Sequence, residues 1–259
     1  MLEDTIGFIG GGRITRIILA GLAKAGRLPK NIVVSDADEK VIEALQGTFS
    51  GIQGVVGDNR SPASQMVVFL ALHPPIIRGC LDEIRDCLHS DAVLISLAPK
   101  ITIRQLSQGL GGFQNIIRMI PNAPSIINSG YNPVAFSAAF SAEEKGYWLC
   151  LFRILGESPE VFEDSLEAYA IITAMGPTYL WFQFYELLSI AKSFGLEEAE
   201  AIRGISAMVK GAVECISTGE MSAEQVSDLI PVKPLIEAEA GIKEIYHRTL
   251  EALYQKLKA

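Results

Sequence analysis

The sequence is poor in the residues from which disulfide frameworks and metal sites are built. Its 259 residues include only four cysteines and three histidines. The cysteines form no Cys-x-x-Cys pair and have no histidine at ligand spacing, so no metal site is predicted. We expect all four to be ordinary buried thiols of a cytosolic protein. They are Cys80, Cys87, Cys150 and Cys215.

The sequence also has no basic cluster, no cationic leader and no unbroken long apolar run. A net charge of -8 argues against nucleic acid as a partner. Met1-Leu2-Glu3-Asp4 is acidic and runs directly into an apolar segment, which predicts that there is no signal peptide. The most apolar stretch, residues 170–191, contains Pro177, Gln183 and Glu186 and favours a buried helix over a membrane span. These absences predict a cytoplasmic protein that binds neither nucleic acid nor membrane.

The first part of the chain alternates short β-rich runs with helical patterns, which is typical of parallel strands joined by helices. The predicted strands cover residues 5–9, 32–35, 54–56, 66–72, 92–97 and 115–120. Edge-strand signals follow at residues 134–137 and 160–162, around a predicted helix at 142–155.

Strand signals stop after Glu163, and the remaining pattern is helical. Apolar residues recur three and four apart through residues 171–194, 197–218 and 235–258. We therefore predict an α/β fold with two domains. A doubly wound, mostly parallel sheet of the Rossmann type occupies residues 1–163, and an all-helical domain occupies residues 164–259.

A glycine turn follows the first predicted strand. Gly10, Gly11 and Gly12 stand between that strand and a helical pattern. This order places backbone N–H groups and the positive end of a helix where a pyrophosphate binds. Two glycines of the Gly-x-Gly-x-x-Gly pattern are present, and Thr15 replaces the third. The pattern predicts dinucleotide binding, and a glycine-rich turn without a ligand is the alternative.

Asp36 stands at the end of the second predicted strand, where an acidic side chain accepts hydrogen bonds from an adenine ribose. No arginine lies beside it to bind a 2′-phosphate, so the sequence favours NAD over NADP as cofactor. In the alternative interpretation, Asp36 serves as the N-cap of the helix that starts near Glu39.

Five motifs, taken in order, resemble those of the pyrroline-5-carboxylate reductase family across nearly the whole chain. Residues 6–12 (IGFIGGG) are similar to the family's opening strand and turn, and residues 67–74 (VVFLALHP) to its Val-Phe-Leu-Ala-Val-Lys-Pro strand. Residues 116–124 (IIRMIPNAP) resemble its Arg-Met-Met-Pro-Asn-Thr-Pro segment, and residues 151–156 its Leu-Phe-x-x-x-Gly. Residues 176–179 (GPTY) resemble the Gly-Pro-Ala-Tyr that opens its helical domain. The resemblance implies nicotinamide-dependent reduction of a C=N bond and a helical domain that forms dimers.

The chain departs from the family at two substrate-binding segments. The family has Ser-Gly-Ser-Gly-Pro where this chain has TAMGP at residues 173–177, and its Ser-Pro-Gly-Gly-Thr-Thr loop is replaced by PVKPLI at residues 231–236. Proline has no N–H, so the altered loop cannot form the same carboxylate-binding nest. Lys233 is its one cation and is predicted to hold a substrate carboxylate instead, with a solvated lysine as the alternative.

Thr173 and Tyr179 complete the predicted catalytic set with Lys233. They flank Gly176 and Pro177 at the predicted junction of the two domains, a favoured place for a pocket. Either hydroxyl is a candidate donor to the substrate. The alternative for Tyr179 is core or dimer packing, because it leads an aromatic run.

The other candidate cofactor-binding residues follow predicted strands at their carboxyl ends. Asn122, between two prolines, is a candidate contact near the nicotinamide, and the alternative is that it only caps its turn. His73 is expected to contact the cofactor, and Arg13 is placed to reach a phosphate. The complete predicted cofactor-binding set is Gly10, Gly12, Arg13, Ile14, Asp36, Leu72, His73, Pro74 and Asn122.

Taken together, these patterns favour an NAD(P)H-dependent reductase of pyrroline-5-carboxylate or a related imine. The alternatives are a nucleotide-binding sensor or partner-binding protein without catalysis, and a dehydrogenase for another small substrate on the same scaffold. The apolar residues crowded into 180–190 also predict a homodimer through the helical domain, because a helix that is apolar on several faces must be buried on several faces.

Overall fold

A computed structural model describes residues 5–258 of the chain. The acidic opening, residues 1–4, on which the prediction of no signal peptide depends, lies outside the described residues. Contacts divide the chain into two compact units. The sheet unit runs up to Met175 and includes the residues from Tyr254 onward, and the helical unit is Gly176–Leu253.

The sheet unit contains all nine strands of the described residues. They are β1 (Thr5–Ile9), β2 (Asn31–Asp36), β3 (Ile52–Val56), β4 (Val67–Leu70), β5 (Val93–Ser96), β6 (Ile116–Met119), β7 (Gly130–Tyr131), β8 (Val134–Phe136) and β9 (Gly156–Glu157). Seven of them form one sheet in the order β3-β2-β1-β4-β5-β6-β8. Its first six strands are parallel and β8 is antiparallel to β6, which confirms the predicted doubly wound, mostly parallel fold.

Helices connect the strands and then make up the rest of the chain. They are α1 (Arg13–Lys24), α2 (Glu39–Thr48), α3 (Arg60–Ala63), α4 (Pro74–Ile84), α5 (Ile103–Gly109), α6 (Ala142–Phe152), α7 (Leu166–Tyr169), α8 (Pro177–Ser193), α9 (Glu198–Ser217), α10 (Ala223–Asp228) and α11 (Ile236–Lys258). A π-helical turn, Ala170–Ala174, continues α7. The three long predicted helical segments correspond to α8, α9 and α11.

The strands are almost continuously apolar because helices cover both faces of the sheet. Side chains alternate between the faces, so Phe8 and Phe69 pack on one side with their rings stacked at 4.6 Å between centroids. Ile9 and Leu70 pack on the other side, against α4 and α5. This packing fixes the carboxyl ends of the strands, where ligands bind in such sheets.

The edge strand predicted at residues 160–162 is not formed. Only an isolated bridge joins Glu160 to Val134. Val134 donates to the carbonyl of Pro159 at 2.9 Å and accepts from Val161 at 2.8 Å. Because Pro159 has no N–H, the pairing does not extend into a ladder. The two-residue parallel pair of β7 and β9 has no counterpart among the predicted strands.

The two compact units divide after Met175, later in the chain than the predicted boundary between residues 163 and 164. Residues 164–175 belong to the sheet unit. Glu163 and Glu167 pair there with Arg118 of β6, and Leu166 is fully buried.

Within one chain the helical unit leaves α8 largely uncovered, so its own chain does not provide the burial that the sequence predicts for this helix. None of its residues is buried in this chain. Trp181, Phe182 and Tyr185 are 45%, 66% and 73% exposed. Its neighbour in this unit, α9, runs along one side of α8 and cannot cover several apolar faces. Among the described residues, no helix has both the length and the apolar character to cross a membrane.

The expectation of four buried cysteines is wrong for three of them. Cys80 is buried, whereas Cys87 and Cys215 are half-buried and Cys150 is exposed. Cys150 lies on α6, midway in sequence between the buried residues Trp148 and Phe152, and so faces away from the core.

Candidate active site

The glycine turn between β1 and α1 has the backbone shape that the motif requires. Gly10 has a φ of +100°, and a Cβ there would lie 2.6 Å from the carbonyl oxygen of Ala71. Its N–H donates to the carbonyl of Ser35 at 2.8 Å. Gly12 precedes α1, and no side chain caps the first turn of the helix. No atom lies within 4 Å of a Cβ built on Gly12, so the approach to the helix end is open.

Thr15 explains how the turn forms without the third glycine. Its buried hydroxyl donates to the carbonyl of Gly10 at 2.5 Å. This bond fastens α1 to the turn and leaves the N–H groups at the start of the helix directed outward. Arg13 and Ile14 occupy the first two helical positions; Arg13 is exposed and Ile14 is half-buried.

Asp36 faces the glycine turn at the end of β2. One carboxylate oxygen accepts the N–H of Gly11 at 2.8 Å and the other accepts the N–H of Asp38 at 3.0 Å. The N-cap of α2 is Asp38, which accepts from Lys40 N at 3.0 Å. The alternative in which Asp36 caps this helix is therefore wrong, and its fixed negative charge lies beside the site predicted for the pyrophosphate.

The segment after β4 lies at the same edge of the sheet. Ala71 donates to the carbonyl of Ile9 at 2.8 Å, which ties this segment to the end of β1. Leu72 is half-buried, and His73 is the exposed N-cap of α4, with Pro74 in the first helical position. The structure thus brings together the predicted cofactor-binding residues from the ends of β1, β2 and β4.

Asn122 and Thr173 also lie together within the sheet unit. The side-chain amide of Asn122 donates to the carbonyl of Thr173 at 3.3 Å, and its oxygen accepts from Tyr131 N at 3.0 Å. The Thr173 hydroxyl donates to the carbonyl of Tyr169 at 2.8 Å, within the π-helical turn. Both polar groups of the Asn122 side chain thus bind backbone outside its own turn. The side chain does not cap the short 3₁₀ helix Ala123–Ile127 that follows, contrary to its alternative interpretation.

Tyr179 and Lys233 belong to the helical unit. Tyr179 is half-buried in the first turn of α8, with its ring edge-on to that of Tyr246 at 6.1 Å between centroids. Burial, and to a lesser degree Tyr246, raise the pKa of the Tyr179 phenol. Lys233 is exposed between two prolines, and its carbonyl accepts from Ile236 N at 3.2 Å.

A buried cluster of ion pairs lies at the end of β6 and was not predicted from the sequence. Arg118 is 1% exposed and donates to Glu163 at 2.9 Å and to Glu167 at 2.7 Å. Glu167 also accepts from Lys100 N at 3.1 Å, and Glu163 from Ile103 N at 2.6 Å. The cluster therefore fixes residues 97–102, which we call the β5–α5 loop. Arg118 lies in an apolar run, and its partners are 45 and 49 residues away, so no local spacing indicated it.

Within residues 5–258 no group of three or more histidine, cysteine or acidic side chains is arranged to hold a metal ion. The polar groups at the carboxyl edge of the sheet are the N–H groups at the start of α1, the Asp36 carboxylate and the Arg13 guanidinium. This set suits a phosphate-bearing ligand with ribose hydroxyls.

Comparison with known proteins gives consistent similarities. Residues 5–100 match the family described as NADP oxidoreductase, coenzyme F420-dependent. The chain is 31% identical to pyrroline-5-carboxylate reductase of Escherichia coli over 222 residues, which cover 85% of this chain and 82% of that protein. The structure of a pyrroline-5-carboxylate reductase from Coxiella burnetii is similar with a TM-score of 0.73 at 26% identity, covering 99% of this chain and 98% of that one. The structure of Plasmodium falciparum pyrroline carboxylate reductase with NADP bound gives a TM-score of 0.77 at 21% identity, covering 100% and 98%, and shows the same fold.

Proposed function

The chain belongs to the pyrroline-5-carboxylate reductase family, and we propose that it uses a reduced nicotinamide dinucleotide to convert pyrroline-5-carboxylate into proline. The observation that carries this proposal is the open helix end behind Gly10 and Gly12. It presents backbone donors at the carboxyl edge of the sheet and leaves room for a pyrophosphate.

The residues present fit such a cofactor. The uncapped first turn of α1 would hold the pyrophosphate, with exposed Arg13 beside it. The carboxylate of Asp36 retains lone pairs for ribose hydroxyls after its two bonds to backbone N–H groups. When bound, the nicotinamide supplies the hydride, and the protein supplies position and electrostatics.

We further propose that NADH is preferred over NADPH. The Asp36 charge is fixed by two backbone donors, so it cannot turn away from a ribose 2′-phosphate. A fixed like charge at that position repels the phosphate, whereas a 2′-hydroxyl donates to it.

The substrate nitrogen must receive a proton, and the two predicted donors are the hydroxyls of Thr173 and Tyr179. These two hydroxyls differ in their surroundings. The Thr173 hydroxyl already donates to the carbonyl of Tyr169. A tyrosine phenol is protonated at neutral pH whatever its burial, and Tyr179 is half-buried in the first turn of α8. We therefore propose Tyr179 as the donor, so Tyr179→Phe should lower kcat, while Thr173→Val should have a smaller effect on it.

The active form in this proposal is a homodimer joined through the helical unit. Between α8 and α9 lies an open cavity of about 430 Å³, lined mainly by apolar side chains that include Phe184, Leu188, Ile202, Ile205 and Val209. Beside it the exposed apolar side chains of α8 extend the surface. An apolar surface of this kind is typical of a two-fold interface that resembles a domain core cut in half.

Turnover by the purified chain tests the proposed reaction. We expect loss of reduced-nicotinamide absorbance on addition of pyrroline-5-carboxylate, with proline formed in equal amount. Gly12→Val is the control, because its backbone has ordinary angles and open space for a side chain, yet the branched group would block the helix end. This variant should fold normally and lose cofactor affinity at least about tenfold. Tight cofactor binding by the wild type without turnover would refute the reaction and favour a nucleotide sensor.

A further inference from the structure

We propose that Lys100 of the β5–α5 loop is the cation that binds the substrate carboxylate. This inference rests on the proposed function, because that substrate carries a carboxylate next to its imine ring. The substrate carboxylate thereby gains a cationic partner in the β5–α5 loop, which none of the sequence motifs indicated.

The strand order places Lys100 on the nicotinamide side of the site. β2, which ends at Asp36, pairs with one side of β1, while β4 and then β5 lie on the other side. A dinucleotide whose adenine ribose lies at Asp36 and whose pyrophosphate lies at Gly12 extends toward β4 and β5. The loop that follows β5 would therefore border the reacting half of a bound cofactor, whose phosphates would lie at the end of β1.

The backbone of Lys100 is held in a conformation that lysine rarely adopts. Its φ is +74°, in the left-handed region that favours glycine. Glu167 accepts its N–H at 3.1 Å, and Arg118 also donates to the carbonyl of Ala98 at 3.5 Å. Non-glycine residues held in sparsely populated backbone conformations cluster at active sites and ligand-binding segments.

The charges around the loop leave Lys100 available for an anion. The guanidinium of Arg118 is already engaged by Glu163 and Glu167 and is 1% exposed. The Lys100 side chain is exposed and forms no ion pair with any carboxylate of residues 5–258. Its ammonium is the free cation at the end of this loop.

The rival cation, Lys233, has an acidic neighbour in its own unit. The pKa of the Glu239 carboxyl is lowered chiefly by its hydrogen bond and charge interaction with Lys243, and Lys233 contributes to the lowering. Lys233 thus has a carboxylate near it in the helical unit, whereas Lys100 belongs to the sheet unit that holds the glycine turn.

Binding of two ring compounds measures the carboxylate contact without requiring turnover. L-proline and pyrrolidine share the ring and differ in the carboxylate, so their Kd ratio, measured by calorimetry with saturating oxidised cofactor, reports that contact. In the wild type, proline should bind at least tenfold more tightly than pyrrolidine. Lys100→Met should reduce this ratio by about tenfold, the loss of one charge-assisted hydrogen bond, while Lys100→Arg should largely retain it. Lys233→Met should leave the ratio unchanged.

Lys100→Gly separates ligand binding from backbone strain. Glycine keeps the N–H that Glu167 accepts and removes the strain, so this variant should be at least as stable as the wild type yet bind proline as weakly as Lys100→Met does. The proposal would be overturned if the ratio of the Kd values for pyrrolidine and proline were unchanged in both Lys100→Met and Lys100→Gly. It would also be overturned if that ratio changed in Lys233→Met instead, or if the wild type bound proline and pyrrolidine equally tightly. A ratio that depends on Lys100 in a protein without turnover would support Lys100 and refute the proposed reaction.

Discussion

Arg118 lies 2.7 Å from Glu167, and the same carboxylate oxygen accepts the backbone N–H of Lys100. One buried contact thereby connects three parts of the sheet unit. They are β6, helix α7 before the π-helical turn, and the β5–α5 loop. The ion pair orders two parts of the sheet edge at once, so its loss should affect both stability and ligand binding.

Arg118→Met should destabilise the protein by about 3–5 kcal/mol, because it leaves the carboxylates of Glu163 and Glu167 without their buried partner. Urea unfolding followed by circular dichroism measures the change in midpoint. Arg85→Met is the matched control, since Arg85 pairs with Asp82 at the surface and its side chain is 43% exposed. That substitution should cost less than about 1 kcal/mol. If Arg118→Met and Arg85→Met lowered the urea midpoint equally, the buried ion cluster would not stabilise the fold more than a surface ion pair does.

Asp36→Ser should narrow the preference for NADH over NADPH by about tenfold, because it removes the fixed charge facing the 2′-phosphate. Calorimetric titration with both nucleotides gives the ratio. Asp38→Ser is the control; it removes a charge two residues away and keeps a good N-cap for α2. A wild type that prefers NADPH would refute the proposal, and attention would move to Arg13 and Lys40 as phosphate partners.

Light scattering should give twice the 28.1 kDa chain mass, or a multiple of that, at micromolar concentration. Phe182→Glu should shift the protein toward the monomer, because Phe182 is 66% exposed on the apolar side of α8. Val56→Glu places the same charge on a 50% exposed side chain in the sheet unit and should leave the assembly intact. A monodisperse wild-type monomer would rule out the interface.

Alkylation should distinguish Cys80 from Cys150. Burial, and secondarily the charge of Glu83, raise the pKa of the Cys80 thiol to about 12, so it remains protonated and inaccessible. Cys150 is exposed. At a pH of about 9, iodoacetamide should modify the exposed Cys150 and leave Cys80 unmodified, as mass spectrometry of peptides would show. Rapid modification of Cys80 in the folded protein would contradict its burial.

The regular parts of the fold could be predicted from sequence because they depend on local patterns. β1, the glycine turn and α1 follow directly from an apolar run, three glycines and a helical period. Asp36 was placed correctly at the strand end for the same reason. The burial expected for α8 is not provided within one chain, because apolar composition indicates that a surface must be covered but not which chain covers it.

The rest of the site depends on contacts between distant parts of the chain. Arg118 resembles any residue of a buried strand until Glu167 is brought beside it, 49 residues later. Lys100 resembles an ordinary surface lysine until its backbone angle is known. Asn122 is a candidate in the sequence because it is a polar residue after a strand. Only the structure shows that its side-chain amide forms hydrogen bonds with the backbone of Tyr131 and Thr173.

Deuterium transfer from the nicotinamide to the product tests the proposed reaction. The wild-type chain is supplied with pyrroline-5-carboxylate and NADH that carries deuterium at one or the other position of nicotinamide C4, and the proline formed is analysed by mass spectrometry. We expect one deuterium per proline from one of the two labelled cofactors and none from the other, because a dinucleotide held at Gly12 and Asp36 would present a single face of its ring to the substrate. Absence of labelled proline with both cofactors would contradict the proposed reaction.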